Sequence, residues 1–137
     1  MMDELVHFYE TLSPASIDTG LDRVYAPEAR FKDPFNEVQG LAAIAAIFHH
    51  MYTQVEAPRF RVLDQARHGD DGFLTWEFHF VGRARMCIRG ATHVRFGPDG
   101  RVILHRDYWD AAEELYEKLP VLGSLMRWLK RRLRTPL

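Results

Sequence analysis

The sequence predicts an α+β fold: a cone-shaped domain in which three N-terminal helices pack on a strongly curved, mostly antiparallel sheet, followed by a C-terminal amphipathic helix. Two patterns carry this expectation. Apolar residues recur at helical spacing as far as Val55 and at every second position after Pro58, and strong turn signals (Gly69-Asp70-Asp71-Gly72, Gly97-Pro98-Asp99-Gly100) separate the alternating runs. Size is the third observation, since 137 residues suit one ordinary core and no second one. We place the domain at residues 1–120 and a basic tail at 121–137.

Leu5, Phe8, Tyr9 and Leu12 fall at i, i+3, i+4 and i+7 behind Asp3 as an N-cap, and Pro14 ends this first helix. Ser16 is read as the cap of a second helix carrying Ile17, Leu21, Val24 and Tyr25, with its stop near Ala26-Pro27, because a residue before proline avoids the helical region. The stretch from Ala29 to Gly40 is too interrupted for a helix and is read as a short edge strand and turn. Leu41, Ile44, Phe48, Met51, Tyr52 and Val55 then make a third helical stripe, opened by Gly40 and closed before Pro58. Period-two runs such as Leu74, Trp76, Phe78 and Phe80 place strands near 59–68, 73–83, 87–97 and 101–110, paired as an antiparallel meander with a turn near Arg83 to Met86. A sheet wide enough to cover three helices must curl, and its open end is where a pocket is expected.

Composition narrows the function classes. Net charge is −1, so no global basic surface points to nucleic acid. From Val121 onward, however, there are five basic residues and no acid. With Leu122, Leu125, Met126, Leu129 and Leu133 on one side, this tail reads as a basic amphipathic helix that either packs over the pocket mouth or a homodimer seam, or makes weak contact with an anionic membrane surface through 121–134. The single cysteine, Cys87, excludes an internal disulfide and an all-thiolate zinc site, so a reducing, cytoplasmic setting is the default expectation. His49 and His50 point about 100° apart on a helix and do not share a metal easily. No metal and no cofactor are expected, given that phosphate-loop and nucleophile-elbow motifs are absent.

The run Phe31-Lys32-Asp33-Pro34-Phe35, Gly40 at a helix start and the closing His105-Arg106-Asp107-Tyr108-Trp109-Asp110 together resemble the nuclear transport factor 2-like superfamily. Within it the chain is similar to the SnoaL-like branch, whose relatives include polyketide cyclases, ketosteroid isomerase and limonene-epoxide hydrolase, over residues 3 to 118. The resemblance implies the cone fold and an internal pocket for a small apolar molecule. It puts Asp33 where ketosteroid isomerase carries its general base. The oxyanion-holding positions of that enzyme fall on Phe8, beside Tyr9, and on Thr92. Arg106-Asp107-Tyr108 resembles the last-strand motif of limonene-epoxide hydrolase, whose arginine and second aspartate fall on Thr75 and Glu77. The hydrolase trio is therefore incomplete, while Glu77 keeps one carboxylate to pair with Asp107.

Asp107 alternates with Ile103, His105 and Trp109, so these four are expected on one face of the last strand. If that face is concave, Asp107 is a proton carrier beside His105; otherwise it bonds backbone or an arginine for structural reasons. Asp33 is either a second proton carrier or part of Asp-Pro turn chemistry. Tyr9, Tyr25, Tyr52, Trp76, Thr92 and Trp109 are candidates for the pocket wall, with core packing as the plain alternative for each aromatic. Three functional readings stay open: a proton-transfer enzyme (isomerase, cyclase or hydrolase type) acting on an apolar or polycyclic carbonyl compound, a non-catalytic ligand-binding or dimerisation module, and a membrane-surface accessory protein using the basic tail.

Overall fold

The computed structural model describes residues 2–114 and, beyond them, 125, 127, 128 and 131–133. Over residues 2–114, four helices and six strands follow one another as α1 (Met2–Glu10), α2 (Pro14–Val24), β1 (Tyr25–Lys32), β2 (Glu37–Gln39), α3 (Leu41–Gln54), β3 (Glu56–His68), β4 (Asp71–Val81), β5 (Arg85–Phe96), β6 (Val102–Tyr108) and the short α4 (Ala111–Glu114). The sheet order is β2-β1-β6-β5-β4-β3, antiparallel at every seam except β1 with β6. The expected meander forms as β3 to β6. Helices α1, α2 and α3 cover one face of the sheet, and the core lies between, built from Leu5, Phe8, Ile17, Leu21, Ile44 and Phe48 against Phe31, Leu74, Ile88, Val94 and Val102.

Several boundaries differ from the sequence reading, each for a local reason. Asp3 lies within the first turn of α1, whose range begins at Met2, where its charge suits the helix dipole without capping. Ser13 is the cap of α2: its hydroxyl accepts from the Ser16 amide at 3.1 Å, and Ser16 Oγ accepts from the Ser13 amide at 2.9 Å. Pro14 thus opens the second helix at a position where no amide hydrogen is needed, besides ending the first. Helix α2 stops at Val24, so Tyr25 enters the sheet. The short edge strand expected between Ala29 and Gly40 is β2, and before it β1, eight residues long, lies between β2 and β6, with Pro27 tolerated because the register with β6 shifts between Tyr25 and Arg30. Strand β3 starts at Glu56 and carries Pro58, which its edge position allows. The β4–β5 turn falls at Gly82 to Ala84, closed by the Gly82 amide donating to the Ala84 carbonyl at 3.0 Å.

Curvature has identifiable sources. Register shifts at Glu56/Arg59 and Val62/Asp64 in β3, and at Arg95/Phe96 opposite β6, insert extra residues that bend a sheet. The last of these corrects one expected face: Val102 sits opposite Phe96 and is fully buried, whereas Ile103 is half-buried at the irregularity and does not continue the His105–Asp107 row. The expected 121–137 helix lies mostly outside the described residues; positions 125, 127, 128 and 131–133 are helical, with Leu125, Trp128 and Leu133 exposed. No helix among the described residues is long and apolar enough to cross a membrane.

Candidate functional site

His105 is the hinge of a polar network inside an otherwise apolar core. It sits on β6 between β1 and β5, opposite Phe31 on one side and Val94 on the other. Its ring is 1 % exposed and stacks on Phe31 at 4.5 Å between centroids. Two residues on, Asp107 emerges on the same face with 18 % of its side chain exposed.

Two groups bond one carboxylate oxygen directly, and three more stand behind them. Asp107 Oδ1 accepts from Thr92 Oγ1 at 2.6 Å and from His105 Nε2 at 2.6 Å. Thr92 in turn accepts from the Trp76 indole N–H at 2.8 Å. On the other side of the ring, Tyr25 Oη lies 2.8 Å from His105 Nδ1, and Tyr9 Oη meets the Tyr25 hydroxyl in a short hydrogen bond and lies 3.3 Å from Nδ1. One proton assignment uses every donor. With neutral His105 donating from Nε2, Nδ1 accepts from Tyr25, and Tyr25 accepts from Tyr9. An imidazolium would reverse the tyrosine bonds and leave the Tyr9 proton without an acceptor among the described residues. All donors therefore point toward Asp107.

Burial holds the Tyr9 phenol well above its ordinary range, reinforced by neighbouring Tyr25 and by the Asp107 charge. Burial also raises Tyr25, against the lowering effect of its bond to Tyr9. The sign of the consequence follows from linkage. Both folded values lie above the ordinary tyrosine value of 10.0, so their contribution to stability is complete below about pH 10 and is lost as pH rises beyond it, when the unfolded chain releases protons that the folded chain retains. We expect the melting temperature to fall steeply above pH 10 and the fall to be shallower in Tyr25→Phe. Thermal scans in a pH series, read with phenolate absorbance, check this.

The network borders two spaces. On the inside, Tyr9, Phe48, Phe60, Val62, Leu74, Trp76, Thr92 and Asp107 line a cavity of about 30 Å³. That volume suits a water molecule or two and not an organic ligand. On the outside, Lys32, Asp33, Pro34, Arg106, Asp107, Tyr108, Trp109 and Asp110 line an open cleft of about 540 Å³. Phe35 and Trp109 meet edge to face beside it at 5.5 Å. Asp107 alone borders both spaces.

The predicted residues distribute unevenly over this arrangement. Asp107, His105, Tyr9, Tyr25, Trp76 and Thr92 come together in the network, and Trp109 joins the outer cleft. Asp33 reaches the same cleft but spends Oδ1 on its own turn, accepting from the amides of Phe35 at 2.8 Å and Asn36 at 2.7 Å, while the Asn36 side-chain amide donates to both carboxylate oxygens. Glu77 does not pair with Asp107: the register sets it opposite Arg89, on the face away from Trp76, Thr92 and Asp107. Tyr52 lines neither space, and its buried hydroxyl has no hydrogen-bond partner among the described residues. Phe48, Phe60, Val62 and Leu74 were missed as cavity walls, although alternation with Trp76 marked Leu74 as an inward residue.

Gly90 makes the Trp76 position possible. A Cβ there would lie 2.5 Å from Trp76 Cζ2 and 3.1 Å from Trp109 Cβ, and Trp76 is tethered to Thr92. Gly90→Ala is expected to cost about 1–3 kcal/mol by overpacking, measurable as a lower denaturation midpoint.

The comparisons agree with this fold. The sequence model of the SnoaL-like domain matches residues 5–105. Among solved structures, an NTF2-like protein of unknown function from Burkholderia pseudomallei K96243 superposes with a TM-score of 0.72 at 18 % identity, covering 82 % of this chain and 92 % of that one. A Mycobacterium tuberculosis LEH-like epoxide hydrolase gives 0.68 at 18 % identity, covering 98 % and 96 %. A candidate SnoaL-like polyketide cyclase from Shewanella putrefaciens CN-32 gives 0.68 at 17 % identity, covering 83 % and 94 %. No curated protein matches the chain. At these identities the structural likeness establishes the fold, and the match over residues 5–105 establishes the family: the chain belongs to the SnoaL-like domain family, built on the NTF2-like α+β cone.

Proposed function

We propose that the protein catalyses proton transfer on a small, largely apolar carbonyl compound, with Asp107 as the proton carrier. The observation that carries this reading is the convergence of Thr92 and His105 on a single carboxylate oxygen, Oδ1. Two donors on Oδ1 hold the carboxylate fixed and leave Oδ2 to a bound molecule. A substrate in the outer cleft would present a C–H bond beside its carbonyl to Oδ2. The proton passes to Asp107, the bonding pair moves to the carbonyl oxygen as an enolate, and Lys32 and Arg106, which line the cleft, supply positive charge there. Where the enolate is conjugated with a carbon–carbon double bond, returning the proton to its far carbon gives an isomerase; attack of the enolate carbon on a second carbonyl of the same molecule, with the proton passing from Asp107 to the new alkoxide, gives a cyclase.

The placement of Glu77 away from Asp107 favours these reactions over paired-carboxylate epoxide hydrolysis. The polyketide-cyclase neighbour, candidate though it is, supports the same substrate class. A second reading, a binding module without catalysis, is favoured by the small inner cavity, which is too small to enclose an organic ligand beside Asp107.

The test is deuterium uptake beside the carbonyl of a panel of cyclic and polycyclic ketones, followed by NMR with wild type and Asp107→Asn. Uptake above the buffer rate in wild type alone supports catalysis. Ketone binding with no enzyme-dependent uptake supports the binding module and overturns the proposal.

A further inference from the structure

On the sheet face turned away from the helices, three metal-ligating side chains converge. Glu77 and His79 are two residues apart on β4 and so project from the same face, and Cys87 on β5 is the cross-strand partner of His79. Their ligand atoms all lie within 4.8 Å of one another. Glu77 Oε1 is 3.3 Å and Cys87 Sγ 3.9 Å from His79 Nε2.

The shared nitrogen decides between two kinds of chemistry. A thiol–imidazole–carboxylate relay needs the thiol on one ring nitrogen and the carboxylate on the other, so that a proton can pass through the ring. Here both approach Nε2, as donors around a common centre do. Metal–ligand distances of roughly 2.0–2.3 Å put the edges of a tetrahedral zinc site at about 3.3–3.8 Å, close to the two separations at His79 Nε2. The β4–β5 ladder runs from Asp71 to Val81 without a register shift, so the backbones carrying the three ligands are fixed relative to one another. Arg89, the cation opposite Glu77, reaches to Glu114 Oε1 at 3.3 Å.

We propose that Glu77, His79 and Cys87 form a zinc-binding site with three protein ligands. The set combines a thiolate, an imidazole and a carboxylate, the donor mixture that suits a borderline-soft divalent ion and not magnesium or calcium. Sequence spacing concealed it: two ligands lie on one strand and the third enters from its neighbour through the hairpin register.

The test uses the full chain, stripped with a chelator and titrated with Co²⁺ alone, then with Zn²⁺ in competition. The expected result is one equivalent of tetrahedral Co²⁺ with a thiolate-to-cobalt charge-transfer band, displaced by Zn²⁺. Cys87→Ser should abolish the band, and Cys87→Ser and His79→Gln should each weaken Zn²⁺ binding by at least about ten-fold. Absence of the band, or a Cys87→Ser protein that binds as wild type does, means an adventitious ion only and overturns the site. A measurement needing no variant gives the same decision: with Cys87 the single cysteine, one equivalent of Zn²⁺ should slow its alkylation by iodoacetamide at least about ten-fold, and an unchanged rate overturns the proposal.

Discussion

His105→Leu is expected to destabilise the protein by about 3–5 kcal/mol, lowering the melting temperature by on the order of 10 °C or more. Leucine fills much of the ring's volume against Phe31, so lost packing is a minor part. The larger part is polar. Tyr25 loses the acceptor for its hydroxyl in a site with no exposure, and Asp107 loses one of the two donors on Oδ1. A buried group stripped of its partner costs its whole desolvation penalty, roughly 1–3 kcal/mol each and more for a charge. Position along the donor chain makes the prediction sharper. Tyr9→Phe removes only the terminal donor, and Tyr25 keeps its bond to His105, so this change should cost no more than about 0.5–1.5 kcal/mol. Urea unfolding of both variants decides the matter. Equal losses would mean that the hydrogen bonds are not directed as assigned.

Asp107→Asn should leave the fold nearly intact while lowering enzyme-dependent deuterium uptake by about 10²–10⁴-fold. The asymmetry of the site makes this separation possible. Both donors meet the same oxygen, so the amide oxygen of asparagine can take the place of Oδ1 and keep both bonds, with its NH₂ where Oδ2 stood. Shape and hydrogen bonding survive, and only the basic oxygen is lost. Alanine would be less informative, because it would also strand Thr92 and His105. Near-wild-type stability with no loss of uptake would remove Asp107 from the reaction.

Much of the architecture was legible in the sequence because local rules act within a few residues. The stripe Leu41, Ile44, Phe48 and the alternation Leu74, Trp76, Phe78, Phe80 each report one buried face, and those faces are where the helices and strands lie. Errors gathered where a residue had two local roles open to it. Ser13 and Ser16 both have capping hydroxyls, and only the closed reciprocal pair reveals which is the cap. Tyr25 continued the helical stripe of Ile17, Leu21 and Val24, yet pairing of β1 with β6 claims it for the sheet.

The sequence by itself determined the fold class, the shared strand face of His105 and Asp107, and the residue types available for proton transfer. Those depend on short-range periodicity, and the chain carries that pattern whatever it later packs against. Only the tertiary structure decided which of these residues meet. Tyr9, Tyr25, Thr92 and Trp76 join Asp107 from four separate elements, while Glu77 is sent to the outer face, where β5 brings Cys87 to His79. Convergence of this kind rests on strand register and sheet curvature, and a one-residue slip of β4 against β5 would carry Trp76, Glu77 and His79 to the opposite face.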